Sequence, residues 1–360
     1  KAVMKYLIVT QTFPPRSGGM QTIMETISKK LATFEETHVF PDHFVKKDFN
    51  ISNSNFHIHN NFTPKLLRYL VKKKLVEKAY EDNDIVICDS WKSINAVPDK
   101  VKKIIVFAHG QEYLAKKKTN LIKKSLNRAG HIICSSSYTL NLIDNLNITN
   151  AKKSVIPPTY SLKETNENHA GKKLTKKISI LSITRLEKRK GIIPVLKSLG
   201  HLHKEKLIKP FVWEICGEGN QETEIKKYID NLGLSKHVRL LGKVSDEIKN
   251  KLLKKTDLFV MPSYKVKNSI EGFGISYLEA ASYGVPSIAG VEGGVRDAVF
   301  DMKTGWCIDP LNSSLLLDTI KEAINNKDKR EKFGLEAKKQ FSKKFLGEKV
   351  FRKFMNTINS

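Results

Sequence analysis

The sequence predicts an α/β protein built from two doubly wound domains, and three observations carry that prediction. A chain of 360 residues with 40% hydrophobic content is more than one ordinary core holds. Short apolar runs alternate with helical stretches along nearly all of it, the pattern of parallel sheets with helices on both faces. The alternation stops once, at a polar, lysine-rich segment over 161–177, and then starts again. Two domains joined in this way imply a cleft.

The first domain, expected over 4–160, opens with a strand at 6–10, a Gly-containing turn and a helix at 20–32. Strands follow at 38–40, 85–88, 104–108 and 131–134, and Val155-Ile156-Pro157-Pro158 closes the half. Beyond the 161–177 linker the second domain, 178–335, reads as strands at 178–183, 211–216, 238–241, 258–261 and 287–289. Helices at 191–203, 221–232, 246–254 and 274–283 alternate with them. After Pro310 the chain turns helical to about 325 and again over 329–359. Its last part, 336–360, is expected to cross back as a helix onto the first domain. Phe341, Phe345, Val350, Phe351 and Phe354 form an aromatic stripe along it that reads as packing.

The longest apolar runs, such as Ile104-Ile105-Val106-Phe107, are strand-sized, far below the roughly 20 residues of a membrane helix. A strand-like segment beginning at Tyr6 leaves no apolar stretch for a secretory leader, and none is expected. Cys88, Cys134, Cys216 and Cys307 lie far apart, without the close pairing of zinc or redox motifs, which fits reduced thiols in a cytosol. The formal charge of +26 attracts nucleic acid, anionic lipid or anionic small molecules, but Lys is abundant everywhere, so compositional bias explains it equally well. No reading helix, zinc spacing or aromatic-interleaved basic strand supports nucleic-acid binding, and none is expected.

Open α/β sheets bind ligands beyond the carboxyl ends of their strands, so the residues just after strands are the informative ones. Gly18 and Gly19 follow the first strand and lead into a helix, where backbone amides can approach an anion; a purely structural turn explains them too. His109-Gly110-Gln111-Glu112 follows the strand ending at Ala108. His109 is placed to donate a hydrogen bond into the cleft, or to serve structure alone. Arg185 and Lys190 follow the strand at 178–183, where a planar fork and a compact ammonium can hold a diphosphate and stabilise it as it leaves. The richest stretch runs from Glu271 to Glu279. Glu271 precedes a helix start, the amides of Phe273, Gly274 and Ile275 face outward to an anion or sugar hydroxyl, and Glu279 lies two turns down to accept ribose hydroxyls. Gly293-Gly294 adds a further close-approach point. Asp82-Asn83-Asp84 has the spacing of a metal-binding sugar-transferase motif but precedes a strand, and reads as a loop.

Taken together, the Gly18-Gly19 loop, His109-Gly110, Arg185 with Lys190, Gly217-Glu218-Gly219, Leu241-Gly242 and the Glu271/Glu279 pair followed by Gly284-Val285-Pro286 resemble the retaining glycosyltransferases of family four. The stretches around Gly19, His109 and 271–290 look most like bacterial mannosyltransferases that use GDP-mannose to glycosylate phosphatidylinositol mannosides. The resemblance implies the GT-B fold, two Rossmann-like domains facing across a cleft, and hexose transfer with retention of configuration. It implies that Gly18 and Gly19 approach the donor phosphates or the acceptor, that His109 contacts the donor sugar, and that Arg185 and Lys190 hold the diphosphate. Glu271 would bind sugar hydroxyls, Glu279 the ribose, and backbone near Val244 the base. Asp297, where many relatives carry Glu, departs from the pattern.

The expected donor is thus a GDP- or UDP-sugar, with no cofactor and no metal, because Arg185 and Lys190 stand where a metal would. The expected acceptor is a glycolipid or oligosaccharide. An epimerase acting on sugar nucleotides shares the fold and is the alternative reading. Two basic amphipathic stretches add an expected anionic membrane surface as partner. One, 65–80, opens on Lys65 and closes on Tyr80, setting Leu66, Leu67, Leu70, Val71 and Leu75 against Arg68, Lys72, Lys73, Lys74 and Lys78. The other, 114–129, runs from Leu114 on to Ala129 with Leu121, Ile122 and Leu126. A cytoplasmic protein, peripheral on the inner face of the cytoplasmic membrane, is the corresponding location.

Overall fold

Val-, Ile- and Leu-rich runs with no alternating polar residues are suited to strands buried on both faces, and the structure uses them in that way. The computed structural model describes residues 4–16, 18–43, 55–61, 63–64, 67–165 and 177–360. These form two units, one of residues 1–161 with 347–360, the other of 162–346.

The first unit holds a seven-stranded parallel sheet of β1 (Tyr6–Val9), β2 (Thr37–Phe40), β3 (Phe56–Ile58), β4 (Ile85–Cys88), β5 (Ile104–Ala108), β6 (His131–Cys134) and β7 (Lys152–Val155). Its order is β3-β2-β1-β4-β5-β6-β7, so the direction of winding reverses between β1 and β4. β1, β4, β5 and β6 are buried along their whole length. Helices α1 (Gly19–Leu31), α2 (Arg68–Ala79), α3 (Thr119–Leu126) and α4 (Ser137–Asp144) accompany the sheet. α4 is capped by Ser136, whose hydroxyl accepts from the Thr139 amide.

The second unit holds a six-stranded parallel sheet of β8 (Ile178–Ile183), β9 (Phe211–Cys216), β10 (Val238–Gly242), β11 (Leu258–Met261), β12 (Ser287–Ala289) and β13 (Gly305–Cys307). The order β10-β9-β8-β11-β12-β13 reverses between β8 and β11. Its helices are α5 (Ile192–Lys204), α6 (Glu222–Asn231), α7 (Asp246–Lys255), α8 (Ile275–Ser282), α9 (Val295–Ala298), α10 (Ser313–Asn325) and α11 (Lys327–Gln340). Trp213 is fully buried in this core, and its indole N–H is satisfied by the Ser182 hydroxyl at 2.9 Å.

Four expectations need correction. β3, β7 and β13 were not predicted: β7 reads Lys-Lys-Ser-Val and β13 Gly-Trp-Cys, too polar or too short to register as apolar runs. The helix expected over 329–359 is not continuous. α11 is followed by a π-helical turn (Phe341–Phe345) and an extended Leu346, and only then by α12 (Gly347–Asn359). The change of unit therefore falls at Leu346/Gly347 instead of 335/336. The aromatic stripe divides there: Phe341 and Phe345 pack in the second unit's core, while Phe354 of α12 lies 5.8 Å from the rings of Phe107 and Tyr160 in the first. Each such ring is worth roughly 1.5–3 kcal/mol on burial, which is how a 13-residue helix is held to that unit.

The amphipathic stretches also come out differently. Lys72, placed by its charge on the solvated face, is buried; its ammonium pairs with Asp42 and donates to the Thr10 carbonyl at 2.8 Å. In the 114–129 stretch Ile122 and Leu126 belong to the first unit's core, and Leu121 is exposed. Leu66 lies outside the described residues, as does 166–176 of the expected linker. Asp84, by contrast, serves a turn as read: its carboxylate accepts from the amides of Lys5 and Glu81, both at 2.8 Å.

Candidate active site

In an open parallel sheet the loops beyond the carboxyl ends of the two strands at the reversal diverge and leave a crevice. In the second unit those strands are β8 and β11, and the loops that follow them carry Arg185 to Gly191 and Pro262 to Gly274. Lys188–Lys190 forms one turn of 3-10 helix, ended by Gly191 at φ 75°. A side chain at Gly191 would be strained by that angle, and its Cβ would sit 2.3 Å from the Pro262 carbonyl oxygen. This close approach fixes the Lys188–Lys190 turn against the β11 loop.

Glu271 is the meeting point. Its Oε2 accepts from the Lys190 ammonium and, at 3.0 Å, from the Arg189 guanidinium. Arg189 also holds Glu187 at 3.1 Å, and Glu187 holds Arg185 at 2.9 Å. Three cations against two carboxylates leave the cluster with one net positive charge, an arrangement suited to an anion. The Glu271 main chain is fixed as well: its carbonyl accepts from the Gly294 amide at 2.9 Å. Gly293 lies so close that a Cβ there would be 2.2 Å from the same oxygen.

Burial alone would raise the Glu271 carboxyl, but the Lys190 and Arg189 charges outweigh it and hold it below the ordinary carboxylate value. For Lys190 burial wins: at 7% exposure it loses more hydration than Glu271 returns, Arg189 and Arg185 add repulsion, and its pKa falls below the usual lysine value. A second anion beside Lys190 would favour its charged form.

Of the residues singled out by sequence, Lys190 and Glu271 are in contact. Arg185 is not part of that contact: its side chain is 68% exposed and pairs with Glu187. Arg189, overlooked in the run Lys188-Arg189-Lys190 because adjacent charges look like a solvated face, joins Lys190 on Glu271. Gly274, in a left-handed conformation, heads α8 without a side-chain cap, so the helix opens on Ile275 with its first amides uncapped by a side chain. Phe273 is buried, against Phe345. Glu279, half-buried on α8, is ion-paired with Lys249 of α7 at 2.7 Å through one carboxylate oxygen. Burial opposes the Lys249 charge, but Glu279 and Asp246 outweigh it and raise its pKa. Nothing in the α7 sequence distinguishes Lys249 from its neighbouring lysines. Val244 is half-buried in the loop after β10. The polar loop before Glu271 is closed on itself by paired hydrogen bonds between Val266 and Ser269, both 2.9 Å, and tied to Arg189 by the Tyr264 amide.

In the first unit the reversal lies between β1 and β4. Gly18 and Gly19 are exposed at the start of α1, beyond β1. Beyond β4, a strand the sequence did predict, stands Asp89, a strand-end residue that the sequence reading did not single out. Its carboxylate accepts from the Thr10 hydroxyl at 2.9 Å, the Gln11 amide at 2.8 Å and the Ser93 hydroxyl. His109, beyond β5, lies 2.8 Å from the Asp89 carbonyl through Nε2. Because a carbonyl only accepts, Nε2 carries the proton, and the neutral ring offers a lone pair at Nδ1. The Nε2–H of His109 is thus committed to Asp89 rather than directed outward, and in the neutral form of the ring Nδ1 is suited to accept from a hydroxyl.

Comparisons with known proteins bear on this geometry. Residues 163–340 match the family described as Glycosyl transferases group 1. The chain is 23% identical over 345 residues to the GDP-mannose-dependent alpha-(1-6)-phosphatidylinositol monomannoside mannosyltransferase of Mycolicibacterium smegmatis, covering 89% of this chain and 88% of that one. It is 26% identical over 250 residues to the 2-deoxystreptamine N-acetyl-D-glucosaminyltransferase of Niallia circulans, 69% of this chain and 60% of that one. Among solved structures, Anabaena Alr3699/HepE in complex with UDP and glucose superposes with a TM-score of 0.77 at 19% identity over 99% of both chains, a likeness of fold.

Proposed function

We propose, from the premise that this chain is a glycosyltransferase of the GT-B fold resembling the group 1 enzymes, that it moves a hexose, mannose from GDP-mannose, to a hydroxyl of a glycolipid or cell-envelope polysaccharide. The observation that carries this reading is the convergence of Arg189 and Lys190 on Glu271 at the reversal of the second sheet. A nucleotide diphosphate placed there meets two cations as its bond to the sugar breaks, and they stabilise the charge that develops on it. No metal is invoked at the diphosphate, since these side chains supply the charge. The free lone pairs of Glu271 accept from donor-sugar hydroxyls, Glu279 accepts from the ribose, the amides at Phe273, Gly274 and Ile275 face phosphate or sugar oxygens, and the backbone at Val244 meets the base. From the first unit, Gly18 and Gly19 approach phosphates or acceptor, and His109 accepts a hydroxyl of the donor sugar.

The transfer proceeds with retention: the acceptor oxygen bonds to the anomeric carbon on the face from which the diphosphate leaves, and the acceptor proton passes to the departing phosphate oxygen. The GDP-mannose dependence of the M. smegmatis relative, matched over most of both chains, favours that donor. A thermal-shift panel of GDP, UDP, ADP and their sugars tests it: selective stabilisation by GDP and GDP-mannose is expected, and a shift with UDP alone would replace the donor.

The acceptor reading extends to a membrane surface, with the enzyme cytoplasmic and peripheral. No helix among the described residues is long and apolar enough to cross a membrane. Leu67, Tyr69 and Leu70 at the start of α2, and Leu121 of α3, are nevertheless exposed beside the exposed lysines Lys74, Lys78 and Lys124. Such a mixture fits an anionic interface. Co-sedimentation with phosphatidylglycerol vesicles at low salt is expected, and its absence there would rule the contact out.

A further inference from the structure

We propose that Glu36, His38 and His57 form a binding site for a divalent transition metal of the zinc type, on the outer edge of the first sheet. β2 and β3 are parallel neighbours in the register His38 to His57, so the two imidazoles stand side by side with ring centroids 4.8 Å apart. Side chains alternate faces along a strand, so Glu36, two residues before His38, shares their face. Glu36 Oε1 lies 2.8 Å from His38 Nε2 and 3.3 Å from His57 Nε2, and one ligand atom from each of the three residues falls within 4.8 Å of the others. A tetrahedral zinc ion with bonds of about 2.0–2.1 Å separates its ligand atoms by about 3.3 Å. The Glu36–His57 spacing already has that value, and side-chain rotation about the strand pair brings the remaining distances to it.

The surroundings are those of a metal-bound histidine. His38 Nδ1 lies 2.7 Å from His59 Nε2, so with the ion on Nε2 the His38 ring donates its remaining N–H to His59, the outer partner that fixes ring orientation. Without the ion, a proton on His38 Nε2 bonded to Glu36 occupies the same place, and the direction of the His38–His59 hydrogen bond reverses. His59 is itself held by stacking on Phe40 at 4.5 Å. His57 and Glu36 are 45% and 42% exposed, which leaves the fourth position open to water or an incoming ligand. Lys5, whose charge is felt by Glu36 and His38, is engaged by Glu81 at 2.8 Å and Asp84 at 3.9 Å.

Glu36 precedes the amino end of β2, whereas Gly18 and His109 follow the carboxyl ends of β1 and β5. The site is thus separate from the residues proposed for transfer and rests on the sheet edge alone. Ligands from β2 and β3 make the ion a clip between two short edge strands.

Calorimetric titration of the chelator-stripped full chain with Zn2+, and absorption spectroscopy with Co2+, test the proposal. One ion per chain, with the intense visible bands of four-coordinate Co2+, is expected. Glu36→Gln and His57→Gln should each weaken binding by at least about tenfold, as loss of a ligand demands. His203→Gln, which alters a histidine pair in the second unit (ring centroids 4.3 Å apart), should leave it unchanged. Absence of saturable binding, or wild-type affinity in either the Glu36 or the His57 variant, would overturn the proposal. The two variants are at half-exposed positions, and circular dichroism checks that each is folded.

Discussion

Lys190→Ala is expected to lower turnover by at least ~100-fold, the consequence of removing one charge partner worth ~3 kcal/mol in the transition state. Lys190 is buried, so in the proposed role its ammonium would be poorly screened by water as it acts on the leaving diphosphate. Its pKa is pulled down by that burial, and the arriving diphosphate supplies the second anion that favours the charged form. The gain is therefore largest when charge accumulates on the leaving group, which places the loss in kcat more than in KM. Alanine leaves Arg189 on Glu271, so the loop keeps one of its two ion pairs and the fold is retained. Near-normal turnover in a folded Lys190→Ala variant would contradict the assignment of the diphosphate to this cluster.

Glu271→Gln is the second large effect, and it acts on stability and activity together. The amide is nearly the same shape, but two buried cations lose their shared carboxylate, and breaking such a pair costs roughly 3 kcal/mol. Arg189 retains Glu187, so most of the penalty falls on Lys190. Denaturant unfolding at neutral pH should show a loss of that order, accompanied by a fall in turnover of at least ~100-fold as the sugar contacts and the position of Lys190 are disturbed. The pH dependence follows from the sign of the shift. Glu271 has a folded-state pKa below its unfolded value of 4.5, so it contributes stability that is fully present above that value. The contribution is lost as pH falls through the folded pKa. Wild-type stability should therefore decline below about pH 4.5 more steeply than that of Glu271→Gln, and parallel acid limbs would contradict the linkage.

The parts of the fold that sequence made legible are those where one physical signal dominates. Ile178–Ile183, Phe211–Cys216 and Leu258–Met261 are mainly apolar runs bounded by turn residues, and their largely buried faces leave them no other use. β7 was hidden because Lys152 and Lys153 stand on an outer strand, where lysine is tolerated on the open side. The interruption at Leu346 carries no Pro and shows in the sequence only as Leu-Gly, so α11 and α12 looked like one helix.

Within the candidate site the strand-end rule singled out Lys190 and Glu271, which the structure brings into contact, while the second partner of Glu271 depended on which way two adjacent arginine and lysine side chains leave a single 3-10 turn. That is a matter of backbone direction over three residues, invisible in a run of charges, and it gives the contact with Glu271 to Arg189, which the sequence did not single out. Lys72 makes the same point in reverse. A lysine in a lysine-rich helix looks solvated, yet this one is drawn inside by Asp42 and the Thr10 carbonyl.

Hexose transfer from a nucleotide-sugar is the activity to be measured. The direct measurement is incubation of the purified chain with isotopically labelled GDP-mannose and a glycolipid extract, followed by release of GDP and the anomeric configuration of the labelled product by NMR. Transfer of mannose with its configuration retained, lost in Lys190→Ala, is the predicted result. Isomerised nucleotide-sugar without an acceptor, or labelled product from a Lys190→Ala variant at the wild-type rate, would contradict it.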